Sequence, residues 1–508
     1  MKYFYSFCRI FVGVVFIISG MIKANDPLGF SYKMEEYFTV FKLTDSIPNT
    51  TYEMRDLTPD EVAAVMAGTS DIKPTDYSGN PIDLTAADAA SQFMYTKEAK
   101  TDMVSQEKDH WFNDLCDFMH DHALALSIFM CLLEIVLGAL LLAGYWIRAT
   151  SIFLFLLVIF FGFLTFYSAY YNKVTDCGCF GDALKLTPWQ SFWKDAILGV
   201  FVLPVLFDAF VTKKINGLKF DTQEKVISVL AVILGFILSI VVFKWYLPAV
   251  FILILMVARA ALHFVLKGDM FKKVSFKVIT VVLSLWFTIH CLHHLPVKDY
   301  RPWAKGNIIP QKMIGEPEFA DVYMIYKNKK TGESKEYLAV KNTDGKPIND
   351  FSWMAGNFSE ENEFVDQKKK INKPAVEAPI HDFTLDNKES GEAYAESFIF
   401  KPGYKFMLVS YDLNKTNTEV QPKVNEFAAA CQAAGIEFIG ATGSSDKVEE
   451  FRHANQNAFP YYINDPTSLK TIIRSNPGLV MIKDTVVVDM WHYNDFPKFE
   501  DVKQNLMK

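Results

Sequence analysis

The chain has 508 residues, of which 51% are hydrophobic and 15% aromatic, and its formal net charge is -7. That apolar fraction is too high for an ordinary soluble protein of this length. The charge is mild and the lysines are scattered, so nothing points to nucleic-acid binding; the densest basic cluster, Lys368-Lys369-Lys370, reads as part of a solvated linker. The long apolar runs fall almost entirely within residues 1–295, whereas residues 296–508 read as soluble globular sequence.

A hydrocarbon core about 30 Å thick needs on the order of 20 apolar residues as a helix. By that ruler about seven spans are expected: Tyr3–Ile22, Ala123–Ala143, Ala149–Tyr171, Phe192–Val211, Val226–Phe243, Leu247–Leu266 and Val274–His294. Lys213, Lys214, Lys219 and Lys225 crowd one short loop, and Lys267, Lys272 and Lys273 another. Alternation puts both on one side with Arg148, Lys2 and Arg9, and the positive-inside rule makes that side the cytoplasm. Residues 25–122, the loop at 176–182, the turn at Lys244-Trp245 and everything after Leu295 then lie outside it. The first span has no small-residue cleavage pattern, so it is expected to be an uncleaved helix.

Residues 25–122 form a long acidic insertion, read either as a partner-docking cap or as a cover over the bundle. Thr58-Pro59-Asp60-Glu61 reads as a capped helix start, Pro74, Gly79-Asn80-Pro81 and Asp83 as turns, and Ser105–His122 as an amphipathic helix.

Glu134 falls near the middle of the second span, where an ionisable group is costly unless it is neutral or paired. Arg9 enters the first span from the cytoplasmic side, and an Arg9–Glu134 pair is the expected arrangement, with a proton-relay role for Glu134 as the alternative. Lys23 ends the first span and Lys194-Asp195 begins the fourth. A lysine close to a thiol stabilises its thiolate; the competing reading is that Lys23 and Lys194 snorkel at the interface. Histidines gather at 110, 120, 122, 290, 293 and 294. A metal site can be drawn from His120, His122, His290 and His294, but such spacings are commonplace and no metal is assigned.

Seven cysteines is an odd number without the spacing of a zinc ribbon or a disulfide-dense domain. Cys8, Cys131 and Cys291 lie in apolar runs as inert thiols, and Cys116 and Cys431 are isolated. Cys177 and Cys179 alone form a local pair, in Asp176-Cys177-Gly178-Cys179-Phe180-Gly181-Asp182. Such a pair is either a redox dithiol or a local staple. The ring it closes is very small, with Gly178 supplying backbone freedom, so the entropic gain of a staple is slight. A strained small-ring disulfide is easily reduced and oxidising, and it persists outside the cytoplasm. The chemistry implied is thiolate attack on a partner disulfide through a mixed disulfide, with electrons passed to a membrane acceptor. The other reading is two thiols held in a tight turn without turnover.

Arg9, Gly13, Phe16, Ser19-Gly20 and Lys23, then Glu134 and Gly138, then Cys177 to Asp182 with Lys194-Asp195, resemble the DoxX/MauE membrane family over Met1–Val211. The resemblance implies a four-helix core in the bacterial inner membrane. It also implies a link to disulfide handling in exported proteins, as in amine dehydrogenase maturation, or to quinone-linked oxidation. The insertion at 25–122 and the added hairpin Val226–Leu266 depart from a minimal member.

Residues 296–377 read as a connector outside the cytoplasm, with a hairpin formed by Tyr323–Tyr326 and Tyr337–Val340 around Thr331-Gly332. Lys368–Pro379 reads as a charged boundary. From Ile380 the expected order is strand Lys405–Tyr411, helix Val420–Ala434, strand Ile436–Ala441, helix Lys447–Asn457, and strands Leu479–Ile482 and Val486–Trp491. This order, with Pro477 where that fold places a cis-proline, resembles a thioredoxin-like domain over residues 378–508. Where such domains carry Cys-x-x-Cys this chain reads Asp412-Leu413-Asn414-Lys415-Thr416-Asn417, and Cys431 is too far along to substitute. The region is therefore expected to bind an extended polypeptide beside Pro477 or to dock an exported partner.

The expected architecture is thus multi-domain, an α-helical transmembrane bundle followed by an α/β thioredoxin-like domain. Cys177 and Cys179 are the expected catalytic pair, supported by Lys23, Asp182, Lys194, Asp195, Glu134 and Arg9, with Pro477 at the client site. A lipid-soluble quinone is the natural acceptor, although no motif for it is visible. A non-enzymatic scaffold that docks exported partners is the alternative. A small-molecule transporter is disfavoured by the few intramembrane charges and the lack of a clear repeat.

Overall fold

The computed structural model describes residues 2–70, 72–75, 81, 95–171, 178, 180–213, 215, 220–342, 345–387 and 391–507. The chain divides into two compact units, residues 32–123 and the remainder. Helix α1 (Lys2–Asn25) leads into α2 (Pro27–Phe41), where the first unit begins.

Within residues 32–123 follow β1 (Thr44–Asp56), α3 (Pro59–Met66), β2 (Tyr95–Glu107) and α4 (Trp111–Asp121). β1 and β2 pair antiparallel from Thr44↔Glu107 to Asp56↔Tyr95. α3 starts as its sequence requires: Thr58 and Glu61 form a reciprocal capping box, with Pro59 in the first turn. The expected helix from Ser105 begins only at Trp111, because Ser105–Glu107 completes the β2 ladder and His110 caps the helix instead.

After residues 32–123 the chain continues with α5 (Ala123–Ala143), α6 (Ile147–Tyr171), α7 (Pro188–Phe207, continued by a π turn over Asp208–Thr212), α8 (Thr222–Val241), α9 (Leu247–Val265) and α10 (Asp269–His293). Together with α1 these make seven helices, among the described residues, that are long and apolar enough to cross a membrane. α1 is the hub, packing on α7, α8, α9 and α10. It crosses α5 where only glycine fits: a Cβ on Gly13 would lie 2.7 Å from Leu142, and one on Gly138 would lie 2.8 Å from the Gly13 carbonyl oxygen. The outer helices turn Phe153, Leu156, Phe160 and Phe163 of α6, and Val200, Leu203 and Phe207 of α7, away from the bundle. These exposed side chains give the bundle its lipid-facing surface.

The expected Arg9–Glu134 pair does not form. Arg9 donates to both carboxylate oxygens of Glu224 at 2.7 and 2.8 Å and to the carbonyls of Leu141 and Leu142. Glu224 also accepts from Arg259 at 2.6 Å. The reason is depth: Arg9 meets the last turn of α5, whereas Glu134 lies about 10 Å further along that helix at 1.5 Å per residue.

The C-terminal region contains α11 (Ile309–Lys312), β3 (Phe319–Asn328), β4 (Ser334–Lys341), β5 (Ile348–Asn349), α12 (Phe358–Glu361) and β6 (Asn362–Lys373). The strands form an antiparallel sheet in the order β5-β4-β3-β6. The β3–β4 hairpin is the one expected around Thr331-Gly332. Lys368–Lys373, expected in a connector, instead pairs with β3 as part of β6. The strand lies at the sheet edge, where lysines suit the solvated side, and Lys368 meets Glu336 across the sheet at 2.9 Å.

A second sheet follows, built from α13 (Ala395–Phe400), β7 (Tyr404–Val409), α14 (Gln421–Ala433), β8 (Glu437–Thr442), α15 (Val448–Asn455), β9 (Tyr461–Ile463), α16 (Pro466–Ile472), β10 (Gly478–Lys483), β11 (Val486–His492) and α17 (Phe499–Leu506). Its order is β11-β10-β7-β8-β9, with β7, β8 and β9 parallel and β10 and β11 antiparallel. The period-2 alternation of β7 divides the core. Phe406 and Leu408 pack with Phe427 of α14 and Val502 of α17, while Met407 and Val409 pack with Phe398 of α13 and Leu469 of α16. The short edge strand β9 and the helices α13, α16 and α17 were not among the expected elements; each is too short to carry a clear periodicity.

Candidate functional site

Four helices, α1, α5, α6 and α7, enclose a small polar pocket. α1 contributes Ser19 and Lys23, one turn apart; α5 contributes Glu134, α6 Phe161, and α7 the neighbours Lys194 and Asp195. Phe180, the residue after Cys179 in sequence, forms a further wall. α7 is started by Thr187, whose side chain accepts from the Gln190 N–H while Gln190 reaches back, so Lys194 and Asp195 come within its second turn.

Two ion pairs occupy the pocket. Lys23 Nζ lies 2.5 Å from Glu134 Oε1, and both side chains are at most 2% exposed. Lys23 also donates to Ser19 Oγ at 3.1 Å and sits 4.9 Å from the centre of the Phe161 ring. Lys194 Nζ lies 2.6 Å from Asp195 Oδ1, and Thr165 donates to the other Asp195 oxygen at 3.3 Å. The Lys194 ammonium stands 5.1 Å over the Phe180 ring, which packs on Phe243. Lys23, Glu134 and Asp195 are withdrawn from water and are tolerated there because each is paired, whereas Lys194 is a quarter exposed. Glu134 Oε2 is buried with no hydrogen-bond partner among the described residues.

Cys177 and Cys179 lie outside the described residues. Gly178 between them adopts φ +64°, in the left-handed region that favours glycine. After Phe180 the chain makes a short turn through Gly181 and Asp182, with the Gly181 N–H donating to the Gly178 carbonyl at 3.1 Å.

Asp182 faces the C-terminal sheets, 3.5 Å from Arg474. Arg474 also donates from Nε to both oxygens of Asp26, which follows α1, at 3.0 and 2.9 Å. The junction is extended by Asn25 with the Lys298 backbone, by His294 with Asp495 at 2.8 Å, and by Asn494 donating to the His293 carbonyl. Arg474 begins the loop that reaches Pro477, and the Asn476–Pro477 bond is cis. Asn476 closes onto the segment Asp412–Asn417. It donates to the Asp412 carbonyl at 2.8 Å, accepts from Thr416 at 2.9 Å, and its carbonyl accepts the Asn417 N–H at 3.0 Å.

The structure thus brings Lys23, Glu134, Lys194 and Asp195 together, sends Asp182 to the junction beside the Pro477 loop, and puts Arg9 in a separate cluster. Sequence reasoning missed Glu224, Arg259, Asp26 and Arg474. Arg259 carried a signal, a lone charge inside an apolar run; Glu224 sits at a span entrance and reads as loop, and no local pattern marks Asp26 or Arg474. Among the described residues no group of three or more His, Cys, Asp or Glu is placed to hold a metal ion. Cys8, Cys116, Cys131, Cys291 and Cys431 are free and buried. Burial pushes the Cys116 thiol up, and that of Cys431 up to about 12, so neither is a ready nucleophile.

No curated protein and no solved structure matches the chain. Residues 116–208, which hold α5, α6 and α7 with the Cys177 loop and three of the four charged pocket residues, are similar to the family described as Methylamine utilisation protein MauE.

Proposed function

We propose that this multi-pass protein resides in a bacterial inner membrane and carries out thiol–disulfide chemistry in the maturation of exported proteins, with Cys177 and Cys179 as the exchanging pair. The observation that carries this reading is the double ion-pair pocket walled by Phe180, directly after the cysteines, within the stretch similar to MauE. Lysine-rich loops on the opposite side support an orientation with the cysteines and the C-terminal region in the periplasm. In the reaction one thiol loses its proton, and the thiolate attacks a sulfur of the client disulfide. That bond breaks, a mixed disulfide forms, and the second thiol resolves it, leaving the client reduced and the pair oxidised. Run in reverse, the pair oxidises a client dithiol. A quinone then returns the pair to its disulfide form, taking up two electrons and two protons as quinol.

The five-stranded order with its cis Asn476–Pro477 bond supports a thioredoxin-like reading of the C-terminal region. Without Cys-x-x-Cys, and with Asn476 folded onto Asp412–Asn417, its role is to present or dock a client rather than to exchange disulfides itself. The clamp of Arg474 on Asp26 and Asp182 favours a second reading, a scaffold without turnover. A Cys179→Ala variant tests the choice. The exchange reading expects a mixed disulfide between Cys177 and an exported protein, seen on non-reducing gels and identified by mass spectrometry. Failure of either single cysteine variant to trap a client leaves the scaffold.

A further inference from the structure

We infer that the groove between Trp146 and α10 holds one anionic phospholipid from the leaflet on the lysine-rich side of the bundle. Its phosphate sits at Lys277 and an acyl chain lies along the valines. This goes beyond the disulfide reading and uses none of the cysteines. The groove measures about 310 Å³, within the range of sites that enclose a small ligand, about 300–1,000 Å³. Its walls are Trp146, Val274, Lys277, Val278, Val281 and Val282, so one charged side chain stands among hydrocarbon. The valines recur at the spacing of one helix face, and Val274, Val278 and Val282 belong to the exposed outer surface of the bundle. The groove is thus continuous with the lipid-facing surface, and the bilayer's own chains fill it.

Lys277 selects the headgroup. It is exposed, about 12 Å along α10 from Asp269 at 1.5 Å per residue. A cation facing lipid at that depth is costly unless it meets an anion or snorkels toward the headgroups. Asp269 is the sole carboxylate of α10, and it lies 3.8 Å from Lys272. Among the described residues Lys277 has no ion-pair partner, and neither has Lys273, one turn earlier on the same face. A phosphate supplies the negative charge that α10 lacks, whereas a zwitterionic headgroup would bring its own ammonium close to both lysines. Trp146 closes the other side of the groove. It sits between α5 and α6 at φ +44°, a backbone region uncommon for a bulky residue, with its carbonyl accepting the Thr150 N–H at 3.0 Å. Its ring packs partly on the bundle core, and its indole N–H has no acceptor among the described residues. At a membrane interface such an N–H is placed to bond lipid carbonyl or phosphate oxygens.

The test is native mass spectrometry of the full-length protein, released from detergent micelles that contain equal amounts of phosphatidylglycerol and phosphatidylethanolamine. Wild type should retain one phospholipid, with phosphatidylglycerol favoured by about fivefold, the scale of one lysine near an anionic surface. Lys277→Gln should bring the ratio close to one, and Lys277→Arg should keep it. Lys267→Gln removes the same charge from the loop before α10 and should leave the ratio unchanged. Val278→Trp fills the groove and should abolish retention of either lipid. All the substituted positions are exposed, so the bundle should keep its packing, as thermal unfolding in the same detergent verifies. No preference in wild type, an unaltered ratio in Lys277→Gln, or undiminished retention in Val278→Trp overturns the inference. An equal loss of preference in Lys267→Gln also overturns it, because the lysine-rich surface as a whole would then be selecting the lipid.

Discussion

Arg474 holds Asp26 through its Nε at 3.0 and 2.9 Å from the two carboxylate oxygens, joining the loop before Pro477 to the end of the hub helix α1. The same guanidinium reaches Asp182, three residues past Cys179. One side chain thus links the C-terminal sheets to two chain segments that frame the pocket, and it is only 8% exposed, so its bonds are shielded from competing water.

Arg474→Ala should therefore loosen the junction by about 1–3 kcal/mol, the scale of hydrogen bonds to charged groups. Limited proteolysis between Leu295 and Pro302 should accelerate accordingly. Arg474→Lys should recover little, because a point charge cannot span both carboxylates. Equal cleavage rates in wild type and Arg474→Ala would show that the clamp does not hold the junction.

Glu134→Ala strands Lys23 in the bundle and should cost about 3–5 kcal/mol, whereas Lys23→Met with Glu134→Leu should come within about 1 kcal/mol of wild type. Thermal unfolding of wild type, Lys23→Met, Glu134→Leu and the double variant in one detergent completes the cycle, with Glu134→Leu expected to cost as much as Glu134→Ala. If the double variant were as damaged as the sum of the singles, the two residues would be contributing independently rather than as a pair.

Glu224 anchors the α8–α9 hairpin to α1 by accepting from both Arg9 and Arg259. Glu224→Gln leaves two buried guanidinium groups without a carboxylate and should destabilise by about 3–5 kcal/mol, with faster hydrogen exchange in α8 and α9. Arg9→Met should be milder, since Arg259 still neutralises the carboxylate. The reverse ranking would contradict the cluster.

His492 is buried at the end of β11, opposite Gly478 of β10, and its Nδ1 accepts the Asn494 N–H at 3.2 Å. Burial pulls its pKa down from 6.5 to about 4. Between those values the unfolded chain binds the extra proton, so stability is full above about pH 6.5 and falls as pH drops toward 4, by about 3 kcal/mol in total. Tryptophan fluorescence of chemical unfolding across that window should show the decline, and His492→Gln should flatten it. A profile that Gln leaves unaltered would rule out this histidine as the cause.

Much of the architecture was legible because the relevant signals are local. Apolar runs such as Ala123–Ala143 announce a span by length alone, and Thr58 with Glu61 announces a helix start. The partners of buried charges were not legible. Glu134 and Arg9 both looked unpaired in sequence, and pairing them was natural, yet helix rise separates them in depth and each finds a partner elsewhere: Lys23 on α1, and Glu224, 215 residues away. Likewise Lys368–Lys370 carries the composition of a linker, but its place at a sheet edge depends on β3, which local composition does not reveal. Lys23, Lys194 and Asp195 were recognisable because each ends or begins a span on the side of the cysteines.

The most direct test of the account is labelling of intact cells with a membrane-impermeant thiol reagent, before and after reduction, followed by mass spectrometry of the Cys177–Cys179 peptide. The five other cysteines are buried and should contribute little. The account predicts that both cysteines are modified only after reduction and without opening the membrane. Labelling that requires permeabilised cells, or that is complete without reduction under every growth condition, would contradict it.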